Sequence, residues 1–136
     1  MSDAFEVLPH TADLRIRARG RTLEELFANS LRGMSSVMQA EAVSKPVEIE
    51  RAIEASSPDT AALLVDFLSE ALSLAEVHRE VYTDVQFQEL SDKSLRATLR
   101  GGRVPEFAED IKAVTYHGVE IEETDQGYEA TVVYDI

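Results

Sequence analysis

The stretch DIKAVTYHGVEI, residues 110–121, combines strand-forming residues with an unusual density of functional groups. Val114, Thr115 and Tyr116 are β-branched or aromatic, and such residues favour strands. Gly118 interrupts that pattern, as a glycine does at a β-bulge or where another backbone approaches closely. The stretch therefore predicts a strand over residues 114–116 with an irregularity at Gly118.

Four polar functional groups lie within six consecutive positions of this stretch. A half-buried strand does not need so many. They are the ammonium of Lys112, the hydroxyls of Thr115 and Tyr116, and the imidazole of His117. Each of these residues taken alone also has an ordinary structural role. Lys112 would then be an edge charge, Tyr116 a core residue with a hydrated hydroxyl, and His117 a turn residue.

The composition is that of a single globular domain, residues 1–136. Hydrophobic residues make up 44% and charged residues 29%, which suits a buried core with a solvated surface. The chain has no cysteine, which excludes disulfides and thiolate metal sites. No apolar run approaches the roughly 20 residues of a membrane span, and the N-terminal residues do not resemble a signal peptide. A cytoplasmic protein without membrane partners is therefore expected.

The net charge is −13 and the isoelectric point is near 4.5. Autonomous nucleic-acid binding requires clustered basic charge, and this chain as a whole repels phosphate. We therefore expect no strong direct nucleic-acid binding. A role in nucleic-acid metabolism would have to operate through another protein.

The N-terminal part predicts strands over residues 5–8 and 14–19. In the second strand Leu14, Ile16 and Ala18 alternate with three arginines, which gives the strand one basic face. That face has two interpretations: ordinary solvation, or a stripe that docks onto a partner. It stands out because the rest of the chain is acidic.

Two helices are predicted. The first covers residues 23–38, because TLEE at residues 22–25 forms a capping box and apolar residues recur at spacings of three and four. The second follows the SSPD start signal at residues 56–59 and runs to His78. Asp66 and Glu70 share a face of this helix and are interpreted as a solvated edge.

The remaining patterns are strands joined by turns. Strands are predicted over residues 46–54, 81–90, 95–100, 119–123 and 128–135, with a loop over residues 101–110. Two helices cannot cover both faces of such a sheet. The sequence therefore predicts an α+β fold: a two-layer sandwich with both helices on one face of a largely antiparallel or mixed sheet of about six to seven strands.

Several motifs together resemble the archease family over essentially the whole chain. They are HTAD at residues 10–13, LEELF at 23–27, LLVDFL at 63–68, IKAVTYH at 111–117 and VVYDI at 132–136. One departure is Ser69, where the family often has asparagine. The site motifs are nevertheless intact.

The resemblance implies an accessory function without catalysis of its own. Archeases are partners of the RtcB-type RNA ligase that joins tRNA halves, and they promote ligase guanylylation with GTP and repeated turnover. The ligase carries its own metal. The resemblance also implies a metal site built from Asp13, Asp135 and the terminal carboxylate of Ile136, and an activating role for Lys112.

The residue chemistry is compatible with this implied site. Three carboxylates brought together repel one another unless a cation lies between them. Their hard oxygen donors suit calcium first, with magnesium or manganese as alternatives. His10 and His117 are accessory candidates, and His10 could orient Asp13. The structural alternative is that Asp13 forms an Asx turn and Asp135 is a frayed terminal residue.

Two other function classes remain open. A small metal-dependent hydrolase or phosphotransferase would use Asp13 and Asp135 to hold the ion, with Lys112 or His117 assisting. The sequence lacks a P-loop and an HExxH motif, which argues against this class. A general chaperone would require a large exposed apolar surface, which the sequence does not predict.

Overall fold

The computed structural model describes residues 4–8, 12–39 and 49–136. Within them the chain forms eight strands and two helices. In chain order these are β1 (Phe5–Leu8), β2 (Leu14–Gly20), α1 (Leu23–Met38), β3 (Ile49–Ser56), α2 (Thr60–His78), β4 (Glu80–Leu90), β5 (Ser94–Arg103), β6 (Ala113–Val114), β7 (Ile121–Thr124) and β8 (Gly127–Asp135). The predicted opening of β3 at Pro46 and Val47 lies outside the described residues.

Both helices begin where local capping chemistry places them. The Thr22 hydroxyl accepts a hydrogen bond from the Glu25 backbone N–H at 3.1 Å, which confirms the predicted start of α1. Asp59 caps α2 in the same way, since its carboxylate accepts from the Ala62 N–H at 2.8 Å. At the other end of α2, Arg79 adopts a left-handed conformation with φ 54° and ends the helix. Neither described helix is long and apolar enough to cross a membrane.

The strands form two antiparallel sheets. The larger has the order β1-β2-β8-β6, with β7 also paired to β8, so the first and last parts of the chain meet in its centre. The smaller has the order β3-β5-β4. Helix α1 packs against β2 and β4, one strand of each sheet, while α2 packs against β3, β4 and β6. The sheets and helices therefore share one hydrophobic core.

The predicted α+β class is confirmed, while the sheet differs in detail. We expected one sheet of about six to seven strands, whereas the eight strands divide between two sheets. Helix α1 packs against a strand of each sheet, and among the described strands none of one sheet is hydrogen-bonded to a strand of the other.

The predicted loop over residues 101–110 begins too early. Strand β5 continues to Arg103, and Gly101 pairs with both Ile49 and Tyr82. A Cβ atom at Gly101 would lie 1.9 Å from the carbonyl oxygen of Val81. Glycine at this position is thus a requirement of close backbone approach within a strand and does not mark its end.

The strand predicted over residues 114–116 is shorter than expected. Strand β6 is limited to Ala113–Val114, and the chain then turns outward. Gly118 has φ 64°, a left-handed conformation that suits glycine, and a Cβ atom at this position would meet no described atom within 4 Å. Gly118 is therefore an exposed turn residue and neither a bulge nor a point of close approach.

Candidate functional site

The two aspartates predicted as metal ligands lie at one corner of the larger sheet. Leu14 and Tyr134 are paired across β2 and β8. Asp13 immediately precedes Leu14 and Asp135 immediately follows Tyr134, so the aspartates occupy neighbouring positions at the same end of the two strands. Tyr134 enters the core, and because side chains alternate along a strand, Asp135 faces outward.

The chain terminus is held at the same corner. The side chain of Ile136 is partly buried and packs against the core. Ile136 directly follows Asp135, so its main-chain carboxylate is one residue away from Asp135 along the chain. The alternative of a frayed chain end does not fit this packing, because fraying would expose apolar surface.

The backbone of Lys112, just before β6, is hydrogen-bonded at this corner. Its N–H donates to the carbonyl oxygen of Asp135 at 2.7 Å, and Ala113 is paired directly with Asp135. The ammonium-bearing side chain is exposed. Thr115 extends the attachment, since its N–H and its hydroxyl both donate to the carbonyl oxygen of Val133, at 3.0 and 2.9 Å.

Asp13 has an internal counter-ion. The Arg15 Nε lies 3.3 Å from an Asp13 carboxylate oxygen, and both side chains are partly exposed. Arg17 and Arg19 each form ion pairs with Glu6 and Glu129, with N–O distances of 3.0 to 3.6 Å. The basic face predicted for β2 is therefore neutralised within the chain, and its interpretation as a free docking stripe is not supported.

The oxygen donors at the corner fit a hard divalent cation in kind. In residues 4–8, 12–39 and 49–136, no three His, Asp or Glu side chains lie close enough together to hold a metal ion. The predicted set differs from such a group, because it combines the side chains of Asp13 and Asp135 with the terminal carboxylate of Ile136, and it stays a prediction. Carboxylate oxygens are the donors that calcium and magnesium prefer.

Of the two histidine candidates, the structure describes only His117. His10 lies outside the described residues. His117 is exposed in the turn beyond β6, where its backbone N–H donates to the Thr115 hydroxyl at 3.3 Å. No described residue hydrogen-bonds its imidazole, which agrees with its interpretation as a turn residue.

Sequence reasoning missed a cluster around Asp66. The hydroxyls of Tyr116 and Ser57 donate to the two carboxylate oxygens of Asp66 on α2. Asp66 is therefore a half-buried acceptor and not a solvated edge. The hydrogen bond to Asp66 raises the pKa of Tyr116. Tyr116 lies 50 positions from Asp66, so no local pattern could have predicted the pair.

A buried ionic group in the smaller sheet was also missed. Glu80 is fully buried, and its carboxylate accepts two hydrogen bonds from Arg51, at 2.9 and 2.7 Å. The Tyr82 hydroxyl donates a third at 2.7 Å. The hydrogen bonds from Arg51 hold the pKa of Glu80 below its usual range. Burial and the bond to Glu80 raise the pKa of Tyr82.

Tyr134 presents the opposite case. It too is fully buried, yet its hydroxyl has no hydrogen-bond partner in the described structure. Burial alone raises its pKa. Of the two buried tyrosines, Tyr82 has a hydrogen-bonded hydroxyl and Tyr134 has a hydroxyl without a described partner.

These features define a class: small acidic α+β proteins with two helices, two antiparallel sheets, and aspartates beside the chain end at one sheet corner. The model of the Archease protein family (MTH1598/TM1083) matches residues 5–136. The chain belongs to the archease family.

Similar proteins cover nearly the whole chain. The Protein archease of Methanosarcina mazei is 42% identical over 141 residues, covering 97% of this chain and 95% of that relative. The Protein archease of Pyrococcus furiosus is 34% identical over 142 residues, covering 97% of this chain and 98% of that relative.

Two solved structures share the fold. The solution structure of Methanobacterium thermoautotrophicum protein 1598 has a TM-score of 0.78 and 33% identity, covering 98% of this chain and 99% of the other. A Thermotoga maritima archease, described as a possible chaperone, has a TM-score of 0.66 and 20% identity, covering 95% and 94%. At that lower identity the likeness concerns the fold alone.

Proposed function

We propose that this protein activates an RtcB-type RNA ligase as a non-catalytic partner, promoting ligase guanylylation with GTP and repeated turnover. Family membership over residues 5–136 supplies the class. The observation that carries the proposal is the corner at which Asp13, Asp135 and the chain end adjoin the backbone of Lys112. The IKAVTYH motif and the VVYDI terminus are separate in sequence, and the sheet joins them.

The corner would hold one divalent cation through Asp13, Asp135 and the terminal carboxylate of Ile136. Calcium is the first choice, with magnesium or manganese as alternatives, because all three donors are carboxylates. Bound there, the cation would offset the repulsion between these negative groups and fix the chain end. Lys112 would add positive charge toward the ligase, a nucleotide phosphate or a shared carboxylate.

The target of this activity would be the ligase and not RNA. The net charge of −13 repels phosphate, and the arginines of β2 are already paired with carboxylates. If the protein bound RNA through several phosphate contacts, its affinity would depend steeply on salt. The logarithm of the binding constant would fall by about 0.7 to 0.9 per contact for each tenfold rise in salt concentration. We expect almost no RNA binding at physiological salt.

A general chaperone role is less well supported. A holdase needs a broad apolar surface, and in the described residues the large exposed hydrophobics are only Val7, Val77 and Tyr116. The words "possible chaperone" describe the Thermotoga maritima protein. For this chain, action on one defined partner agrees better with its largely polar surface.

The proposal is tested by mixing the purified protein with a stalled RtcB-type ligase, GTP and metal. Guanylylated ligase, measured with radiolabelled GTP, is expected to accumulate only when the protein is added. An amount well below that of the ligase should suffice if the complex is transient. The protein alone should neither join nor cleave RNA. Guanylylation that is unaffected by the protein, or RNA turnover by the protein alone, would contradict the proposal.

A further inference from the structure

Tyr116 is an aromatic residue whose ring is exposed while its hydroxyl is bonded. The residue is 59% exposed, and its hydroxyl donates to the Asp66 carboxylate. An isolated exposed aromatic ring has no unusual meaning. A ring tethered at its polar end, beside a predicted functional corner, is different.

The ring is fixed from both sides. On the backbone side, Thr115 donates through its N–H and its hydroxyl to the carbonyl oxygen of Val133. At the far end, Asp66 receives Tyr116 and is itself positioned by the hydroxyl of Ser57. A side chain held in this way loses little conformational entropy when a partner covers it.

The ring lies within reach of any partner that covers the corner. Ala113 is paired with Asp135, and Tyr116 is three residues further along the same segment. An extended chain rises about 3.3 Å per residue, so Tyr116 lies at most roughly 10 Å from Ala113. A protein interface of ordinary size covers both.

We propose that Tyr116 is a docking anchor, and that the group it receives is an arginine side chain on a basic surface of the partner protein. This inference rests on the proposed function, in which that partner is the ligase. The face of an aromatic ring is electronegative and attracts guanidinium groups. The Asp66 carboxylate at the hydroxyl end and the net charge of −13 both favour a cation over an anion.

An RNA base is the competing occupant, because bases also stack on exposed aromatic rings. The charge of the chain opposes it. A nucleotide brings a phosphate with every base, and around this ring the neighbouring carboxylate of Asp66 repels it. A protein surface can bring cationic groups without phosphates.

The experiment compares three variants in their affinity for the ligase, measured by biolayer interferometry. Tyr116→Leu removes the ring, while Tyr116→Phe keeps the ring and removes the tether. Val77→Ala is the matched control, because Val77 is 76% exposed at the end of α2 and has no tether. Circular dichroism verifies folding of each variant. Calcium titration by calorimetry verifies that the corner is intact.

The expected result is about a tenfold loss of ligase affinity in Tyr116→Leu and about a two- to threefold loss in Tyr116→Phe. Val77→Ala should bind as the unaltered protein does, and calcium affinity should be the same in all four proteins. Dissociation of the ligase complex should account for most of the loss.

Distinct outcomes overturn the inference and the proposed function. If the unaltered protein binds the ligase and Tyr116→Leu binds equally well, the anchor is wrong and the proposed function stands. Equal losses in Tyr116→Leu and Val77→Ala would also refute the anchor. Binding of an RNA oligonucleotide that requires Tyr116 would replace the protein partner with RNA. No ligase binding by the unaltered protein would overturn both proposals.

Discussion

The two fully buried tyrosines allow the value of one hydrogen bond to be measured within a single core. Tyr82→Phe removes the hydroxyl that donates to the buried Glu80 carboxylate at 2.7 Å. Tyr134→Phe removes a hydroxyl that has no described partner. Both substitutions delete one oxygen and keep the ring, so packing changes are matched.

The expected magnitudes follow from what each hydroxyl contacts. A hydrogen bond to a charged group contributes about 1.5 to 3 kcal/mol, so Tyr82→Phe should lower the free energy of unfolding by about 2 kcal/mol. Glu80 keeps its two bonds to Arg51, which limits the loss. Tyr134→Phe should change the free energy of unfolding by less than about 0.5 kcal/mol, or raise it, because an unsatisfied buried hydroxyl is removed.

Urea denaturation followed by circular dichroism provides the assay. For a domain of this size, about 2 kcal/mol corresponds to a fall in Tm of roughly 6 °C, which calorimetry can verify. The slope of the free energy of unfolding against urea concentration should be the same for the unaltered protein and both variants, since the surface exposed on unfolding is unchanged. Equal destabilisation by the two substitutions would refute the reasoning, because the partner of the hydroxyl would then not matter.

Three further outcomes are expected. Adding two glycines after Ile136 converts the terminal carboxylate to an amide, so calorimetry should show weaker calcium binding, and equal affinity would exclude that carboxylate as a ligand. Lys112→Ala should abolish ligase activation and change stability by less than about 0.5 kcal/mol, whereas the exposed Lys93→Ala should remain active; activation by Lys112→Ala would return Lys112 to an edge charge. Because the pKa of Glu80 is lowered in the folded state, its contribution to stability is present above the ordinary carboxyl value of 4.5 and is lost as pH falls below it. Urea denaturation at pH values below 4.5 should show that the free energy of unfolding falls less steeply with pH in Glu80→Gln than in the unaltered protein. Identical pH profiles of the two proteins would contradict this.

Local signals predicted the helices well. The capping box at Thr22 and the SSPD signal that ends at Asp59 involve residues within one turn, and the helix starts agree with the structure. The strands of β4 and β5 were also located from alternation around their turn. These features depend on residues close in sequence, where propensity and capping act directly.

Features that depend on tertiary approach were not predictable. Gly101 appeared to end a strand, yet it serves the close passage of the Val81 backbone. The pairing of Tyr116 with Asp66 joins residues in different elements, and the acceptor role of Asp66 is invisible in its helical pattern. Arg17 and Arg19 looked free because one of their partners, Glu129, lies more than a hundred residues away.

For the candidate site, the sequence predicted which residues belong to it but not how they are arranged. Motif resemblance identified Asp13, Lys112 and the Asp135-Ile136 terminus as candidates before any geometry. The structure then brought them to one sheet corner through the pairing of β2, β6 and β8. Their metal ligation and their action on a ligase remain predictions.

The most direct test of the central claim is the rate of ligase guanylylation with the unaltered protein and with the protein extended by two glycines after Ile136. Both proteins should be folded, with ligase, GTP and metal held constant. We predict that the extended protein fails to activate, because the corner loses its terminal carboxylate. Equal guanylylation rates with the two proteins would contradict a functional role for this corner.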